Sequence, residues 1–277
     1  MIVFSNKPRL QSFLLRALLL AVLVYAGLCA WIYIRQQTML FPGHAAPAIS
    51  DDWEPTVGGN TSESFLDGNC GKLHTAMWDL PGNKGVVLIF HGNAENLVTV
   101  EKQVPDFHKL GYAVAAWDYP GYGKSAGCWF DEADLLSDAE TAFRWTKRQA
   151  GNKPITLYGR SLGSGLALYV ASRQPVNKVL LVSPYDSLAN VGKDHMPSYI
   201  PVEWLILYPL HAYEWIAKVQ APIYAIHGLN DTLITPLRAQ TLMRHAGKNA
   251  DMTWVKNAGH RATELFGTSD HWLEKHL

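Results

Sequence analysis

The sequence has no net charge and no basic run, and this absence excludes one class of function. Its 277 residues include 24 lysines and arginines against 24 aspartates and glutamates. A protein that holds nucleic acid by its phosphates needs an excess of positive charge to displace bound counterions. We therefore expect no nucleic acid among its partners.

Cysteine is also scarce, and its spacing is unlike that of a metal site. The three cysteines are Cys29, Cys70 and Cys128, far from the paired spacings of zinc sites. The only histidine spacing that could suggest a metal site is scattered over predicted loops, and no predicted helix carries an H-x-x-x-H pair. We predict neither a metal nor an organic cofactor. Two interpretations of Cys70 and Cys128 stay open, a disulfide in an oxidising compartment or two free thiols.

Charged residues make up 17% of the chain, below the roughly 25% usual for soluble domains, and the N-terminus accounts for part of that deficit. Residues 17–34 carry no charge and are rich in Leu, Val and Ala. As a helix they would be about 27 Å long, close to the hydrocarbon thickness of a bilayer. Three alternatives fit less well. A signal peptide would need a cleavage site, and the sequence has no convincing one. Leu28 stands where a lipoprotein site at Cys29 would need a small residue, and a buried core helix of this length would show a polar face. The pattern favours a retained single-pass signal anchor.

The charges that flank this span predict its orientation. Lys7, Arg9 and Arg16 precede it, whereas only Arg35 follows closely. The positive-inside bias then places the N-terminus in the cytoplasm and the remainder of the chain in an extracytoplasmic compartment. We divide the chain into an anchor (1–35), a Pro- and Gly-containing linker (36–60) and a single folded domain (61–277).

Strands and helices alternate from residue 85 onward, which indicates an α/β fold with a mostly parallel sheet covered by helices on both faces. A hairpin over 62–67 and 72–80 precedes this part. The predicted later strands are 85–90, 112–117, 155–158, 178–183, 222–227 and 252–256, and the predicted helices are 95–110, 131–150, 163–172, 236–246 and 270–277.

The string Gly159-Arg160-Ser161-Leu162-Gly163 has the spacing G-x-S-x-G between a short apolar strand and a helix of small residues. On such a turn the serine has a strained backbone and its hydroxyl projects above the sheet, so that it can act as a nucleophile. A second copy, residues 123–127, follows a Pro-Gly turn and runs into bulky aromatics. We therefore predict Ser161 to be the nucleophile.

A serine hydroxyl needs a base to take its proton, and the base needs an acid to orient it. In sheets of this type the order along the chain is Ser, acid, His. Asp231 and His260 each follow a predicted strand directly, where ligands bind in open α/β sheets. Asp186, after the strand over 178–183, is the alternative acid. His91 and His227 end buried strands, and we expect structural roles for them.

The reaction also needs N–H donors for the oxyanion. The first predicted donor is the backbone N–H of Leu162, which follows the nucleophile. The second belongs to the loop after the first parallel strand, and we choose the backbone N–H of Asn93. A plain strand-to-helix turn, with Asn96 as the helix cap, is the alternative interpretation of this loop.

Several blocks, in this order, resemble the α/β-hydrolase superfamily, and within it the serine-aminopeptidase-like hydrolases and the Bem46-like lineage that includes membrane-anchored protein depalmitoylases. The blocks are His91-Gly92-Asn93-Ala94 with Asn96, residues 118–125 (DYPGYGKS), Gly159–Gly163, Ser183-Pro184-Tyr185, His227-Gly228 with Asp231, and Gly259-His260. The resemblance covers residues 53–277 and implies Ser161 as nucleophile, Asp231 as acid and His260 as base. Glu95 departs from the pattern, since many relatives carry a smaller residue there.

Residues 187–219 lie between two predicted strands, where such relatives insert a lid, and they are strongly apolar. An apolar lid over a serine beside a membrane suits an acyl chain better than a sugar or a charged peptide. We expect a membrane-anchored serine hydrolase that cleaves carboxylic or thio esters through an acyl-serine intermediate. A peptidase or amidase with the same triad, an acyltransferase and a non-catalytic binding protein are the alternatives.

Overall fold

The first described element is one long helix. The structure is a computed structural model that describes residues 7–261 and 271–277. Helix α1 covers Lys7–Leu40. Its part from Leu10 to Leu40 has the length and composition needed to cross a membrane and contains an 18-residue stretch with a mean hydropathy of 2.3. The helix continues beyond Ile34 because the first helix-breaking residue is Pro42, where a 3-10 turn over Gly43–Ala45 begins. The predicted linker is therefore helical at its start.

Eight strands of the described residues form one sheet in the order β1-β2-β4-β3-β5-β6-β7-β8. The β1–β2 and β2–β4 pairs are antiparallel, and every other neighbouring pair is parallel. This confirms the predicted hairpin and the mostly parallel sheet. The strands are β1 Asn60–Gly68, β2 Gly71–Asp79, β3 Val86–Phe90, β4 Ala113–Trp117, β5 Ile155–Arg160, β6 Lys178–Val182, β7 Ile223–Gly228 and β8 Ala250–Val255.

Helices cover both faces of the sheet, as expected from central strands that are apolar on both sides. Alternate residues of β3 show this: Val86, Leu88 and Phe90 belong to one hydrophobic core, and Val87 and Ile89 belong to the other. The remaining helices are α2 Leu97–Glu101, α3 Val104–Lys109, α4 Glu132–Ala150, α5 Leu162–Ala171, α6 Leu188–His195, α7 Val202–Leu205, α8 Ala212–Ile216, α9 Pro236–Arg244 and α10 Trp272–His276. Helices α4, α5 and α8 pack on the first core, and α2, α3 and α10 pack on the second.

Two predicted helices differ from the observed ones. The single helix expected over 95–110 is divided into α2 and α3. Pro105 explains the break, because its ring clashes with the carbonyl of residue 101 and it has no N–H to donate. At the C-terminus α10 begins at Trp272, and the predicted start at residue 270 lies outside the described residues.

A disulfide joins Cys70 to Cys128, with their Cα atoms 5.3 Å apart. It connects the β1–β2 turn to the segment that precedes α4, and it resolves the choice left open by the sequence. Cys29 of α1 is a free thiol. The segment between β6 and β7 carries α6, α7 and α8, so the predicted lid consists of three short helices.

Candidate active site

Ser161 lies on a sharp turn between β5 and α5. Its φ is +50°, a left-handed conformation that a residue with a side chain rarely adopts. The two flanking glycines make the turn possible. A Cβ at Gly163 would lie 2.1 Å from the carbonyl oxygen of Phe90, and one at Gly159 would lie 2.7 Å from that of Gly163. Only glycine fits at either position, as expected for a strand and a helix packed this closely.

The structure brings His260 and Asp231 to the hydroxyl of Ser161. Nε2 of His260 lies 3.0 Å from Oγ of Ser161, and Nδ1 of His260 lies 2.7 Å from Oδ2 of Asp231. The three residues follow β5, β7 and β8, whose carboxyl ends share one edge of the sheet because these strands are parallel. The chain thus forms an unbroken hydrogen-bonded path from carboxylate to hydroxyl.

The surroundings of Asp231 favour its ionised form. Its Oδ1 accepts hydrogen bonds from the backbone N–H groups of Leu233 and Ile234, both at 2.9 Å. Burial opposes ionisation, but the hydrogen bond and charge of His260, the N–H of Ile234 and the nearby His227 outweigh it, and the pKa of Asp231 lies below its ordinary value. A carboxylate in this state can stabilise an imidazolium at His260.

The side chain of Asn93 fixes the loop after β3 by hydrogen bonds within the loop and to the segment after β4. Oδ1 of Asn93 accepts hydrogen bonds from the N–H of Ala94 at 3.0 Å and from the hydroxyl of Tyr122 at 2.8 Å. Ala94 has a φ of +55°. On the opposite side Leu162 is the first residue of α5, so its N–H has no intrahelical partner. These are the two positions that the sequence predicts as oxyanion donors.

An ion pair that was not predicted from the sequence joins this loop to the turn at Ser161. The carboxylate of Glu95 accepts hydrogen bonds from the guanidinium of Arg160 and, at 2.6 Å, from the N–H of Gly92. Both charged side chains are 13% exposed. Burial lowers the pKa of Arg160, against the nearby charge of Asp231, which raises it. Two signals were available in the sequence: the arginine next to Ser161, and the unusual acid at position 95.

The remaining candidates have structural partners elsewhere. The alternative acid, Asp186, is fully buried and accepts hydrogen bonds from Asn190 at 2.7 Å and from Arg238 at 3.3 Å. In the second G-x-S-x-G string, the hydroxyl of Ser125 donates to the carbonyl of Asp118 at 2.7 Å and accepts from the N–H of His74 at 2.8 Å. Neither residue therefore belongs to the path that ends at Ser161.

His91 and His227, at the ends of β3 and β7, are both buried and have backbone partners, in keeping with the structural roles expected for them. Nδ1 of His91 lies 2.8 Å from the carbonyl oxygen of Gly92, and Nε2 of His227 lies 2.9 Å from that of Ile234. Within residues 7–261 and 271–277, no group of three or more His, Cys, Asp or Glu side chains has an arrangement that would hold a metal ion.

The chain is similar to one family model and to several known proteins. Residues 81–206 match the family model described as serine aminopeptidase, S33. An uncharacterized protein of Mycobacterium tuberculosis is 29% identical over 252 residues, which are 89% of this chain and 88% of that protein. The α/β hydrolase domain-containing protein 17C of Xenopus tropicalis is 30% identical over 67% of this chain and 59% of its own. A lysophosphatidylserine lipase of Danio rerio is 30% identical over 54% of this chain and 44% of its own.

The fold has solved counterparts as well. An esterase of Pyrococcus furiosus superposes with a TM-score of 0.66 over 83% of this chain and 95% of that protein, at 23% sequence identity. A serine hydrolase of Xanthomonas campestris, described as lacking a lid, superposes with a TM-score of 0.57 at 16% identity. At these identities the likeness concerns the fold: a mostly parallel sheet with helices on both faces.

Proposed function

Because the chain belongs to the α/β-hydrolase superfamily, we propose that it is a membrane-anchored serine hydrolase that cleaves carboxylic or thio esters. The observation that carries this proposal is the hydrogen-bonded path from Asp231 through His260 to Ser161, with distances of 2.7 and 3.0 Å. A path of this geometry is what a serine needs in order to lose its proton as it attacks a carbonyl.

The proposed reaction has two halves. His260 takes the proton of Ser161 as Oγ attacks the ester carbonyl, and the backbone N–H groups of Leu162 and Asn93 bind the resulting oxyanion. The protonated His260, held by Asp231, gives its proton to the alcohol or thiol as the carbon–oxygen or carbon–sulfur bond breaks. Water then attacks the acyl-serine and passes a proton to His260, and Ser161 regains its proton as the acid leaves.

The proposed substrate is an acyl ester with an apolar chain. The lid, residues 187–219, has buried apolar side chains such as Ile200 and Tyr208. Its aromatic residues Tyr199 and Trp204 are exposed. A lid of this composition favours contact with hydrocarbon over contact with a sugar or a charged peptide. The esterase and lipase among the similar proteins support the same substrate class.

We further propose that α1 anchors the enzyme and that the catalytic domain lies outside the cytoplasm. The length and apolarity of α1 support the anchor. Two independent features support the orientation: the excess of basic residues before the span, and the Cys70–Cys128 disulfide. Disulfides form and persist in oxidising compartments and are rare in the cytosol. Protease added to the cytoplasmic side of sealed membranes should leave the domain intact.

A serine peptidase or amidase is the second candidate, because the matching family model is described as a serine aminopeptidase. The same three side chains would serve that reaction, with an amine in place of the alcohol as leaving group. A series of acyl esters of graded length, assayed beside aminoacyl amides of matched size, separates the two activities.

The decisive experiment is the Ser161→Ala variant of the full chain. It should lose hydrolysis of a short nitrophenyl ester by several orders of magnitude, up to about a million-fold as in other serine triads. Ser125→Ala, in the second G-x-S-x-G string, is the matched control. It should keep its activity, provided that it folds like the wild type. Equal hydrolysis by Ser161→Ala and the wild type would refute the proposal. Failure of a fluorophosphonate probe to label Ser161 in the wild type would instead favour a non-catalytic binding protein.

A further inference from the structure

Part of the lid lies along the apolar helix. We call residues 196–206 the apolar lid segment; Glu203 is its one charged residue. The hydroxyl of Tyr25 donates to the carbonyl of Tyr199 at 2.6 Å, and the amide of Gln36 donates to the carbonyl of Leu205 at 2.9 Å. The step from Tyr25 to Gln36 is about 16 Å along a helix. The apolar lid segment therefore follows about three turns of α1, well into the stretch that would span a membrane.

These hydrogen bonds give partners to polar atoms that lipid would leave unpaired. Tyr25 lies inside the charge-free stretch of α1, and in a bilayer its hydroxyl would find no water. The carbonyl of Tyr199 supplies the partner. Gln36 is 5% exposed and uses both ends of its amide, since its Oε1 also accepts from the N–H of Leu207 at 2.7 Å. Tyr25 is 41% exposed, so in water solvent could satisfy its hydroxyl, whereas the buried amide of Gln36 needs its partners in either medium.

The outward surface of the apolar lid segment has the composition of a membrane-contacting surface. Trp204 is 87% exposed and Tyr199 is 64% exposed, and large aromatic side chains with one polar atom favour the membrane interface. Between this segment and α1 lies a cleft whose lining is almost wholly apolar, with Ile32 and Met39 on one side and Ile200 and Val202 on the other. Glu203 forms an ion pair with Lys193 of α6, which offsets its charge.

From these contacts we infer that the apolar lid segment inserts into the bilayer beside α1, in the leaflet on the domain's side, and that lipid acyl chains fill the cleft between them. The inference rests on the proposed anchoring of α1. Its consequence for the proposed function is that the ester is taken from the bilayer, so that the lid passes amphiphilic substrates to Ser161 directly from lipid.

The test uses environment-sensitive fluorophores on single cysteines of the full chain, reconstituted in phosphatidylcholine vesicles without reductant. The native Cys29 reports on α1. In a Cys29→Ser background, Trp204→Cys reports on the apolar lid segment, and Lys153→Cys is the control. Lys153 is exposed and precedes β5, at the sheet edge opposite Ser161. Each sample is quenched in turn by nitroxides on the lipid chains and by iodide in the water.

We expect the fluorophores at positions 29 and 204 to be quenched by the lipid nitroxides and shielded from iodide, and the one at 153 to show the reverse. Lipid quenching at 29 with iodide quenching at 204 would overturn the inference and leave the anchor intact. Shielding at 204 from both quenchers would also overturn it, since a protein partner and not lipid would then cover the surface. Failure of lipid quenching at 29 would reject the anchor itself.

A second measurement tests the consequence for substrate. Trp204→Ser should slow hydrolysis of a long-chain ester embedded in vesicles far more than it slows hydrolysis of a short soluble nitrophenyl ester. An equal loss on both substrates would contradict transfer from the bilayer, because it would show damage to the catalytic machinery. Inactivity of the wild type on both would reject the proposed function, whereas the quenching result would still stand.

Discussion

The carboxylate of Glu95 bridges two parts of the candidate active site: it accepts hydrogen bonds from the guanidinium of Arg160 and from the N–H of Gly92. Arg160 precedes the proposed nucleophile, and Gly92 precedes Asn93, whose N–H is a proposed oxyanion donor. The pair therefore fixes the distance between the nucleophile turn and the loop after β3. Oxyanion donors contribute to rate only when they are held in place before the reaction.

Replacement of Glu95 by Gln should lower kcat more than it raises KM, because the donor position matters most in the transition state. We expect a loss of about tenfold or more, below the roughly hundred- to thousandfold loss on removal of a whole donor. Asp67→Asn, at the exposed Lys72–Asp67 pair, is the control and should change neither constant. A lower melting temperature with unchanged kcat would limit Glu95 to a structural role.

The positions of Ser161 and Asp231 were predictable because each follows a strand that is apolar along its length, whereas His260 follows β8, an edge strand that is only partly buried. A strand that is apolar on both faces belongs to the interior of a parallel sheet, and parallel strands place their carboxyl ends at one edge. Because β8 is also parallel to β7, His260 lies at the same edge as Ser161 and Asp231. The antiparallel hairpin before the parallel strands was equally predictable, since Gly68 and Gly71 bracket a short turn between two strands.

The sequence did not reveal the Glu95–Arg160 pair or the contact between α1 and the lid. Both join residues far apart in the chain, 65 positions in one case and 174 in the other. No local periodicity encodes such a contact, because it depends on how separate elements pack. The break between α2 and α3 is different, since Pro105 was visible and should have limited the predicted helix.

Acid should destabilise the wild type partly through Asp231. Its folded pKa is lowered, so ionised Asp231 stabilises the fold above its unfolded pKa of about 3.9, and that contribution is lost as the pH falls through the lower folded value. Asp231→Asn has no such contribution. The gap in unfolding free energy between wild type and variant, measured by denaturant titration in micelles, should therefore shrink as the pH falls. The control is Asp51→Asn at an exposed position, whose unfolding free energy should stay close to that of the wild type at every pH. If the difference between Asp231→Asn and the wild type does not change with pH, the pKa of Asp231 is not lowered in the folded state.

The Cys70–Cys128 disulfide should contribute to stability through the unfolded chain. Its cysteines are 58 residues apart, and closing a loop of this size corresponds to about 4 kcal/mol in the chain-entropy model. The double variant Cys70→Ser, Cys128→Ser should melt at a lower temperature than the wild type. Cys29→Ser leaves the bond in place and should melt as the wild type does. Equal melting of the double variant and the wild type, with the bond shown intact in the latter by mass spectrometry, would oppose this role.

The turn at Ser161 should fail if either flanking glycine gains a side chain. At Gly163 a Cβ would lie 2.1 Å from the carbonyl oxygen of Phe90, and backbone on both sides leaves the clash no way to relax. Gly163→Ala should therefore separate α5 from β3 and displace both Ser161 and the N–H of Leu162, so that activity is lost together with several kcal/mol of stability.

Gly27→Ala is the control, since a Cβ at Gly27 meets no atom within 4 Å, and alanine favours a helix over glycine. Thermal melting and fluorophosphonate labelling of the two variants distinguish a specific clash from a general effect of glycine replacement. If Gly163→Ala melts and labels like the wild type, α5 and β3 can move apart enough to accept the Cβ, and the prediction is wrong.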